Sequence, residues 1–247
     1  MAYKNVVLIE PYGSIQGLNN GLAYLSAVLA HENFKVLVLD FNTNSNNIEQ
    51  RLDRIKGFDV IGISVKSANL KSGVEIAKKA RELNKDALII AGGTHIILDG
   101  ANFLKENKIF DIGVVGEGEY IFLDILKGKS LNEISGIIYN KRGKIIVNKR
   151  REWIQKLDSL PFPNYDFFDS LDGTIKIYPL LTSRGCPFNC IYCAAPIILG
   201  AWRSRNPEKV IDELIYAKQK YKIKILNKVF KHCRSIKGKV REQIKIN

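Results

Sequence analysis

Hydrophobic residues follow two alternating periods along the first half of the chain. Short apolar runs of strand length alternate with stretches in which apolar residues recur every three or four positions. The apolar runs predict strands at Val6–Ile9, Val36–Leu39, Val60–Val65, Ala87–Ala91 and Ile112–Val115. The helical patterns cover Leu22–Leu29, Ile48–Ile55, Leu70–Leu83, Leu98–Glu106 and Ile121–Leu126. This alternation predicts an α/β fold with a doubly wound, five-stranded parallel sheet.

Small residues stand at the ends of three of these strands. Ser64 lies at the end of the third, Gly92–Gly93 follows the fourth, and Gly116–Gly118 follows the fifth. In an open parallel sheet, ligands bind at the carboxyl edge of the strands. We therefore predict a ligand site at this edge, although glycines at these positions also occur as ordinary turns.

The pattern changes after the fifth unit. Residues Gly136–Val147 predict a β-hairpin with its turn at Asn140–Gly143, and Leu157–Asn164 is a proline-containing connector. A new strand is predicted at Ile175–Leu181, and a helix is predicted to begin at Asn206–Pro207, with asparagine as N-cap and proline at the first helical position. We divide the chain into a sheet domain (1–130), a hairpin and linker (131–174) and a C-terminal unit (175–247).

The formal charge of +13 is unevenly distributed. Residues 218–247 contain eleven Lys and Arg against one acid, so +10 of the +13 lies in this tail. The tail contains no aromatic interleaving and no nucleic-acid motif, so nucleic-acid binding is not indicated. No apolar run approaches the roughly 18 residues of a membrane span, and the N-terminus has no signal-peptide pattern. We expect a cytoplasmic protein.

Three cysteines lie close together in the C-terminal unit. Cys186, Cys190 and Cys193 form a C-x3-C-x2-C cluster directly after the predicted strand. Thiolates suit iron–sulfur chemistry, and three of them leave one iron of a 4Fe–4S cluster open to a small molecule. A zinc site completed by His232 or Cys233 is the alternative from the residues alone.

The cysteine loop, with Tyr192 as the aromatic residue before the last cysteine, resembles the signature of radical S-adenosylmethionine enzymes. The wider chain resembles the subgroup that has an N-terminal cobalamin-binding domain and includes a bacteriochlorophyll ring cyclase and many methylases. The matching stretches are Gly21–Leu25, Val60–Ser64, Gly92–His95, Gly116–Glu119, Leu160–Pro163, Thr182–Cys186 and Arg203–Glu213.

This resemblance implies a mechanism and a set of cofactors. Each of the three cysteines would bind one iron of a 4Fe–4S cluster, and the fourth iron would chelate S-adenosylmethionine. One electron, supplied by a donor such as a flavodoxin or ferredoxin, would cleave S-adenosylmethionine to methionine and a 5′-deoxyadenosyl radical. The cofactor carries this chemistry, and the protein positions and shields it. The implied residues near the adenine or cobalamin are Tyr192, Ser64, Gly92, Gly93, Thr94, Gly116, Glu117 and Gly118.

The sequence departs from the family pattern at two places. The D-x-H-x-x-G motif that supplies a histidine to cobalt in other cobalamin carriers is absent, because this region reads Glu10–Gly17 without histidine. A partial barrel of about six β/α units needs roughly 190 residues, scaled from an eight-unit barrel. Only 66 residues run from Thr182 to Asn247, so we expect a C-terminally truncated barrel.

Several functions therefore remain open at this point. The leading expectation is a cobalamin-dependent radical enzyme that performs methyl transfer or cyclisation on a small molecule. The alternative is a catalytically incomplete fragment that acts only as a cobalamin and iron–sulfur binding module. A radical methylthiotransferase would need extra N-terminal cysteines, and none precedes Cys186.

Overall fold

A computed structural model describes residues 3–13, 17–223 and 225–226. Its strands are β1 (Asn5–Glu10), β2 (Lys35–Asp40), β3 (Val60–Ser64), β4 (Leu88–Gly92), β5 (Ile112–Val114), β6 (Ile137–Lys141), β7 (Lys144–Val147), β8 (Ile177–Tyr178), β9 (Ser183–Arg184), β10 (Arg203–Ser204) and β11 (Ile225–Leu226). Its α-helices are α1 (Asn20–His31), α2 (Ile48–Leu52), α3 (Leu70–Leu83), α4 (Thr94–Asp99), α5 (Ala101–Glu106), α6 (Gly118–Leu126), α7 (Ala195–Leu199) and α8 (Pro207–Tyr221). Short 3-10 turns lie at Asp53–Ile55, Ser67–Asn69, Leu131–Glu133 and Leu157–Ser159.

The five predicted parallel strands are all present and form one sheet. Their order is β2-β1-β3-β4-β5, and each neighbouring pair is parallel. The order reverses between β1 and β3, so the carboxyl ends of these two strands flank a crevice of the kind in which open α/β sheets bind ligands. The α/β fold class predicted from the alternating pattern is therefore confirmed.

The hairpin corrects the predicted strand count. β6 pairs antiparallel with β5, and β7 pairs with β6, so the sheet has seven strands and the hairpin is part of it rather than a separate linker. Ile137 and Ile138 are buried there, and each points to a different face of the sheet. Pairing with the hairpin covers the edge of β5, which would otherwise expose unpaired backbone groups.

Two helical predictions need correction. The predicted helix at Ile48–Ile55 is helical only to Leu52 and tightens into a 3-10 turn at Asp53–Ile55. The predicted helix at Leu98–Glu106 begins earlier, at Thr94, and is interrupted at Gly100, whose φ is +57°. A periodic apolar pattern locates a helical segment well and its ends poorly.

Apolar side chains cover both faces of the sheet. Val7, Ile9, Ile61 and Ile63 belong to the cluster on one face, which α3 and α5 cover. Their neighbours along β1 and β3 belong to the cluster on the other face, which also contains residues of α1, α6 and α8. Since successive side chains of a strand point to opposite faces, continuous apolar runs are what a sheet covered on both sides requires.

The proline-containing connector leads into a segment, residues 165–169, that packs against the edge strand β2. The Val38 amide donates to the Phe167 carbonyl at 2.8 Å, and the Asp169 amide donates to the Val38 carbonyl at 2.9 Å. Tyr165 and Phe168 are buried in the same cluster as α1 and α8. The connector thus joins the sheet to the C-terminal unit through a shared core. The exact boundaries at residues 131 and 175 stay predictions.

The C-terminal unit begins with less β-structure than expected. Within the predicted strand Ile175–Leu181, only Ile177–Tyr178 is a strand, and it pairs in parallel with β11. Helix α8 begins at Pro207 as predicted, and the Asn206 side chain accepts a hydrogen bond from the Glu208 amide at 2.8 Å. One face of this helix is buried and carries Val210, Leu214, Ala217 and Tyr221.

No helix among the described residues is both long and apolar enough to span a bilayer. His232 and Cys233, the alternative zinc ligands, and most of the basic tail lie outside the described residues.

Candidate functional site

A cavity of about 460 Å³ lies at the carboxyl edge of the sheet. It is bordered by the ends of β3, β4 and β5, by α1, and by the segment that leads into the cysteine loop. Its volume falls within the roughly 300–1,000 Å³ of small-molecule and cofactor pockets. Seven of the eight predicted cofactor-binding residues line it: Ser64, Gly92, Gly93, Thr94, Gly116, Glu117 and Gly118. Tyr192 lies outside this lining, and its side chain is exposed.

Glycine occupies positions around the cavity for two different structural reasons. Gly93 has a φ of +101°, and a Cβ atom there would come within 2.5 Å of the Val65 carbonyl oxygen, so the backbone itself requires glycine. A Cβ atom at Gly92 or Gly118 would meet no atom within 4 Å. The packing of the protein therefore does not require glycine at these two positions, and their small size leaves the cavity open.

A group of charged and polar side chains lies beside the cavity, at the end of β1. Glu10 is buried and forms an ion pair with Lys66. The Asn19 side chain donates to both the Glu10 carboxylate and the Ser64 hydroxyl, the latter at 3.1 Å. Asn19 also caps α1 by accepting from the Leu22 amide. Because Ser64 accepts here, its own hydroxyl proton can be donated to a group in the cavity.

Charged residues also form the rim between the sheet and the C-terminal unit. Arg184 donates to Glu117 at 3.0 Å and to Glu119 at 2.7 Å, and its guanidinium carbon lies 5.0 Å from the centre of the Tyr24 ring. Burial alone would lower the pKa of Arg184, but the Glu119 and Glu117 carboxylates outweigh it and raise that pKa above its ordinary value. Arg203 donates to the other Glu117 oxygen at 2.8 Å.

The cysteine loop leaves this rim and returns to it. β9 and β10 pair antiparallel and close the loop at residues 185–202. Gly185, at a φ of +88°, is required there because a Cβ atom would collide with the Ala201 carbonyl. The Cys186 amide donates to the Gly200 carbonyl at 3.1 Å, which ties the first cysteine to the end of the loop.

All three predicted iron ligands lie on this loop. Cys190 and Cys193 are exposed, and Cys186 is half-buried. The Cys193 amide donates to the Cys190 carbonyl at 3.0 Å, and the Ala195 amide donates to the Cys193 sulfur at 3.4 Å. In the described part of the chain, no three His, Cys, Asp or Glu side chains are grouped closely enough to hold a metal ion. The donor set fits an iron–sulfur cluster, and iron binding stays a prediction.

Trp153, Arg184 and Arg203 are site residues that the sequence did not identify. Trp153 lines the cavity, and its ring lies 4.7 Å from the Arg150 guanidinium carbon and 5.5 Å from that of Arg203. It comes from the predicted linker, where no local motif distinguishes it. The two arginines stand inside matched stretches of the sequence, but their shared carboxylate lies more than 60 residues away along the chain.

Known proteins with similar sequences include cobalamin-binding proteins and methyltransferases. Residues 8–126 match the B12 binding domain family. The chain is 32% identical over 215 residues to an uncharacterized methyltransferase of Pyrococcus horikoshii, covering 83% of this chain and 46% of the relative. It is 27% identical to the anaerobic magnesium-protoporphyrin IX monomethyl ester cyclase of Rubrivivax gelatinosus, covering 78% of this chain and 38% of the cyclase.

A solved structure supports the fold. The radical S-adenosylmethionine methyltransferase TsrM from Kitasatospora setae, with cobalamin and a [4Fe-4S] cluster bound, superposes with a TM-score of 0.68 at 18% identity. The match covers 88% of this chain and 46% of TsrM. The chain therefore spans about half the length, or less, of these similar proteins.

The fold and the matched residues relate the chain to one class of proteins. Residues 8–126, which match the B12 binding domain, contain the parallel strands whose carboxyl ends border the cavity. The chain is similar to radical S-adenosylmethionine methyltransferases that use cobalamin.

Proposed function

We propose that this chain binds a corrinoid in the cavity and a 4Fe–4S cluster on the cysteine loop, as part of a cobalamin-dependent radical S-adenosylmethionine enzyme. The observation that carries the proposal is the position of the loop. Its two stems, β9 and β10, start and end at the rim of the cavity, and Arg184 and Gly185 line the cavity itself. The two predicted cofactor sites are therefore neighbours.

The cavity suits a corrinoid for three reasons. Apolar residues of β1, β3 and α1, such as Leu8, Ile63 and Leu22, form much of its wall. Gly92 and Gly118 keep it open where a larger side chain would fit without collision. Ser64 and Lys66 offer hydrogen-bond donors at its polar end. No histidine lines the cavity among the described residues, so the proposed mode of binding has no histidine ligand to cobalt from this part of the chain.

The cysteine loop suits a cluster with one open iron. Cys186, Cys190 and Cys193 would each bind one iron, and the exposed Tyr192 would lie near the adenine of S-adenosylmethionine. When bound, the cluster would supply the electron that cleaves the sulfonium bond of S-adenosylmethionine. The Ala195 amide, 3.4 Å from the Cys193 sulfur, would stabilise the thiolate form of this ligand.

The names of the relatives support a proposal for the reaction. The Pyrococcus relative is named as a methyltransferase and the Rubrivivax relative as a cyclase, so we propose methyl transfer or cyclisation on a small molecule. The electron would come from a donor such as a flavodoxin or ferredoxin. We place this chemistry in the cytoplasm, where thiols stay reduced.

Anaerobic reconstitution tests the proposal. The protein would be purified without oxygen, supplied with iron, sulfide and hydroxocobalamin, and analysed by metal content and absorption spectrum. We expect about four irons and one cobalt per chain, the content of one 4Fe–4S cluster on the loop and one corrinoid in the cavity. Reduction in the presence of S-adenosylmethionine should yield 5′-deoxyadenosine or a methylated corrinoid.

A cysteine variant provides the matched control. Replacing Cys186, Cys190 and Cys193 together by alanine should abolish iron binding and leave cobalt binding unchanged. Cys233→Ala, which removes the fourth cysteine of the chain, should change neither. Zinc in place of iron, or iron that survives loss of the three cysteines, would contradict the cluster assignment. Absence of bound cobalt would contradict the corrinoid assignment.

A further inference from the structure

Glu117 lies where three separate segments of the chain meet. One carboxylate oxygen accepts a hydrogen bond from Arg184 at 3.0 Å. The other accepts from Arg203 at 2.8 Å and from the Ile154 amide at 2.7 Å. The Glu117 side chain is only 11% exposed, so these charged contacts are largely shielded from water.

The two arginines stand at the two ends of the cysteine loop. Arg184 belongs to β9 and precedes Gly185, whereas Arg203 belongs to β10 and follows the loop. Arg203 also donates to the Leu199 carbonyl at 3.0 Å and to the Ala201 carbonyl at 3.1 Å, both within residues 185–202. One carboxylate of the sheet domain thus holds both stems of the segment that carries the cysteines.

The same residue faces the cavity. Glu117 follows Gly116 and precedes Gly118, the first residue of α6, and all three line the cavity. Two residues before Glu117, the Val115 amide donates to the Gly136 carbonyl beside the hairpin at 2.8 Å, which ties this segment to the sheet. A ligand that fills the cavity would therefore touch the backbone that positions this carboxylate.

We propose that Glu117 is a positioning residue that holds both stems of the cysteine loop at the cavity rim and couples cavity occupancy to the order of the loop. The coupling rests on the proposed function, whereas the holding of the loop does not. A carboxylate is needed because hydrogen bonds between ionised partners are about twice as strong as neutral ones. A glutamine has one oxygen acceptor and would place an amide group against a guanidinium.

Hydrogen–deuterium exchange on the full chain without cofactors tests the first part. In Glu117→Gln, we expect the amides of residues 185–202 to exchange about tenfold faster than in the native protein, since local opening becomes less costly. Peptides covering β1 and β3 should exchange at the native rate, which checks the fold. Glu119→Gln is the matched control: it removes the charge from a bond to one stem only and should change exchange of the loop by less than about threefold.

Arg203→Lys tests the same contact by changing the arginine that donates to Glu117. The lysine keeps the charge but loses the fork of donors that bonds Glu117 and two loop carbonyls. It should accelerate exchange over residues 185–202 at least as much as Glu117→Gln does, because the bonds to the Leu199 and Ala201 carbonyls are lost as well. If the glutamine variant does not fold, unchanged exchange in Arg203→Lys would still overturn the positioning role. The positioning role would be overturned if residues 185–202 exchanged at the native rate in the folded variants. It would also be overturned if Glu119→Gln accelerated their exchange as much as Glu117→Gln does.

Addition of hydroxocobalamin tests the coupling. In the native protein, we expect it to slow exchange over residues 185–202 at least threefold, because coupling between two sites acts in both directions. In Glu117→Gln, hydroxocobalamin is added until its absorbance shows that the cavity is occupied, and the loop should then exchange at the same rate with and without it. Equal protection in both proteins would overturn the coupling. Failure of the native protein to bind hydroxocobalamin would refute the proposed function, while the cofactor-free comparison would still decide the positioning role.

Discussion

At the scale of single residues, the site depends on small side chains at strand ends and on charged side chains from distant segments. Gly92 and Gly93 are adjacent, yet only Gly93 is required by the backbone. Ser64 and Lys66 occupy the polar end of the cavity beside the buried Glu10. Short-range sequence explains the first group, because glycines directly after a strand mark the carboxyl edge. The second group becomes visible only when the chain is folded.

Gly92→Leu should separate binding from folding. A side chain at this position has free space and enters the cavity, so we expect corrinoid affinity to fall more than tenfold while the free energy of unfolding changes by less than about 1 kcal/mol. Hydroxocobalamin titration followed by absorbance, together with urea unfolding, measures both quantities.

Gly62→Ala provides the contrast. A Cβ atom at Gly62 would lie 2.9 Å from side-chain atoms of Leu8 and Phe122, so overpacking should destabilise the protein by about 1–3 kcal/mol. A large loss of stability in Gly92→Leu would contradict the free space at this position. Unchanged corrinoid affinity would show that this space is not part of the binding site.

At the scale of elements, helix α8 is fixed to the sheet domain by a buried charged network. Glu213 is fully buried, forms an ion pair with Arg205, and accepts from the Tyr178 hydroxyl at 3.0 Å and the Tyr24 hydroxyl at 3.4 Å. Tyr24 comes from α1, so the network joins the first and last helices of the described chain. Burial raises the pKa of Glu213, and the bond from Arg205 opposes this rise.

Glu213→Ala should destabilise the protein by about 3 kcal/mol, because it leaves the guanidinium of Arg205 buried beside fewer acceptors. Asp212→Ala, on the exposed side of the same helix, removes an ion pair to Lys209 in which both side chains are about half exposed. That change should stay within about 0.5 kcal/mol. Urea unfolding monitored by circular dichroism measures both, and similar small effects would contradict a structural role for the network.

At the scale of the whole molecule, one core connects units that the sequence divided. The cluster on one face of the sheet contains residues of β1, the hairpin, the connector and α8. Within it, Tyr165 packs its ring against Phe168, Tyr178 and Tyr221, with centroids 5.3, 5.7 and 5.8 Å away. The sheet and the C-terminal unit should therefore unfold together, in one cooperative transition.

This core predicts loss of stability at high pH. Burial raises the pKa of Tyr24, Tyr165, Tyr178 and Tyr221 above the ordinary value of 10.0. For a group whose pKa is raised in the folded state, stability is fully present below the unfolded pKa and is lost as pH rises above it. Each such tyrosine should lower the free energy of unfolding by about 1.4 kcal/mol per pH unit above 10. Urea unfolding at pH 9 and pH 11 measures this loss.

Two tyrosine variants check the assignment. Tyr178→Phe removes a fully buried hydroxyl and should reduce the loss of stability between pH 9 and pH 11. Tyr192→Phe removes a hydroxyl from an exposed side chain and should leave the pH dependence unchanged. Equal pH dependence in the native protein and in Tyr178→Phe would show that this tyrosine does not resist ionisation in the folded state.

The sequence by itself determined the class of fold and the candidate chemistry. Apolar runs of strand length located all five parallel strands, and the spacing of Cys186, Cys190 and Cys193 indicated the donor set. These are local properties: strand burial on both faces requires unbroken apolar residues, and a loop of a few residues can supply several ligands.

Only the tertiary structure decided where the hairpin pairs, how the connector packs and what holds the cysteine loop. β6 could pair with either edge of the sheet as far as its sequence shows, and it pairs with the short β5. Arg184 and Arg203 carry no local sign that they share Glu117. Such contacts join segments far apart in the chain, and their partners are set by the packing of the whole core rather than by neighbouring residues.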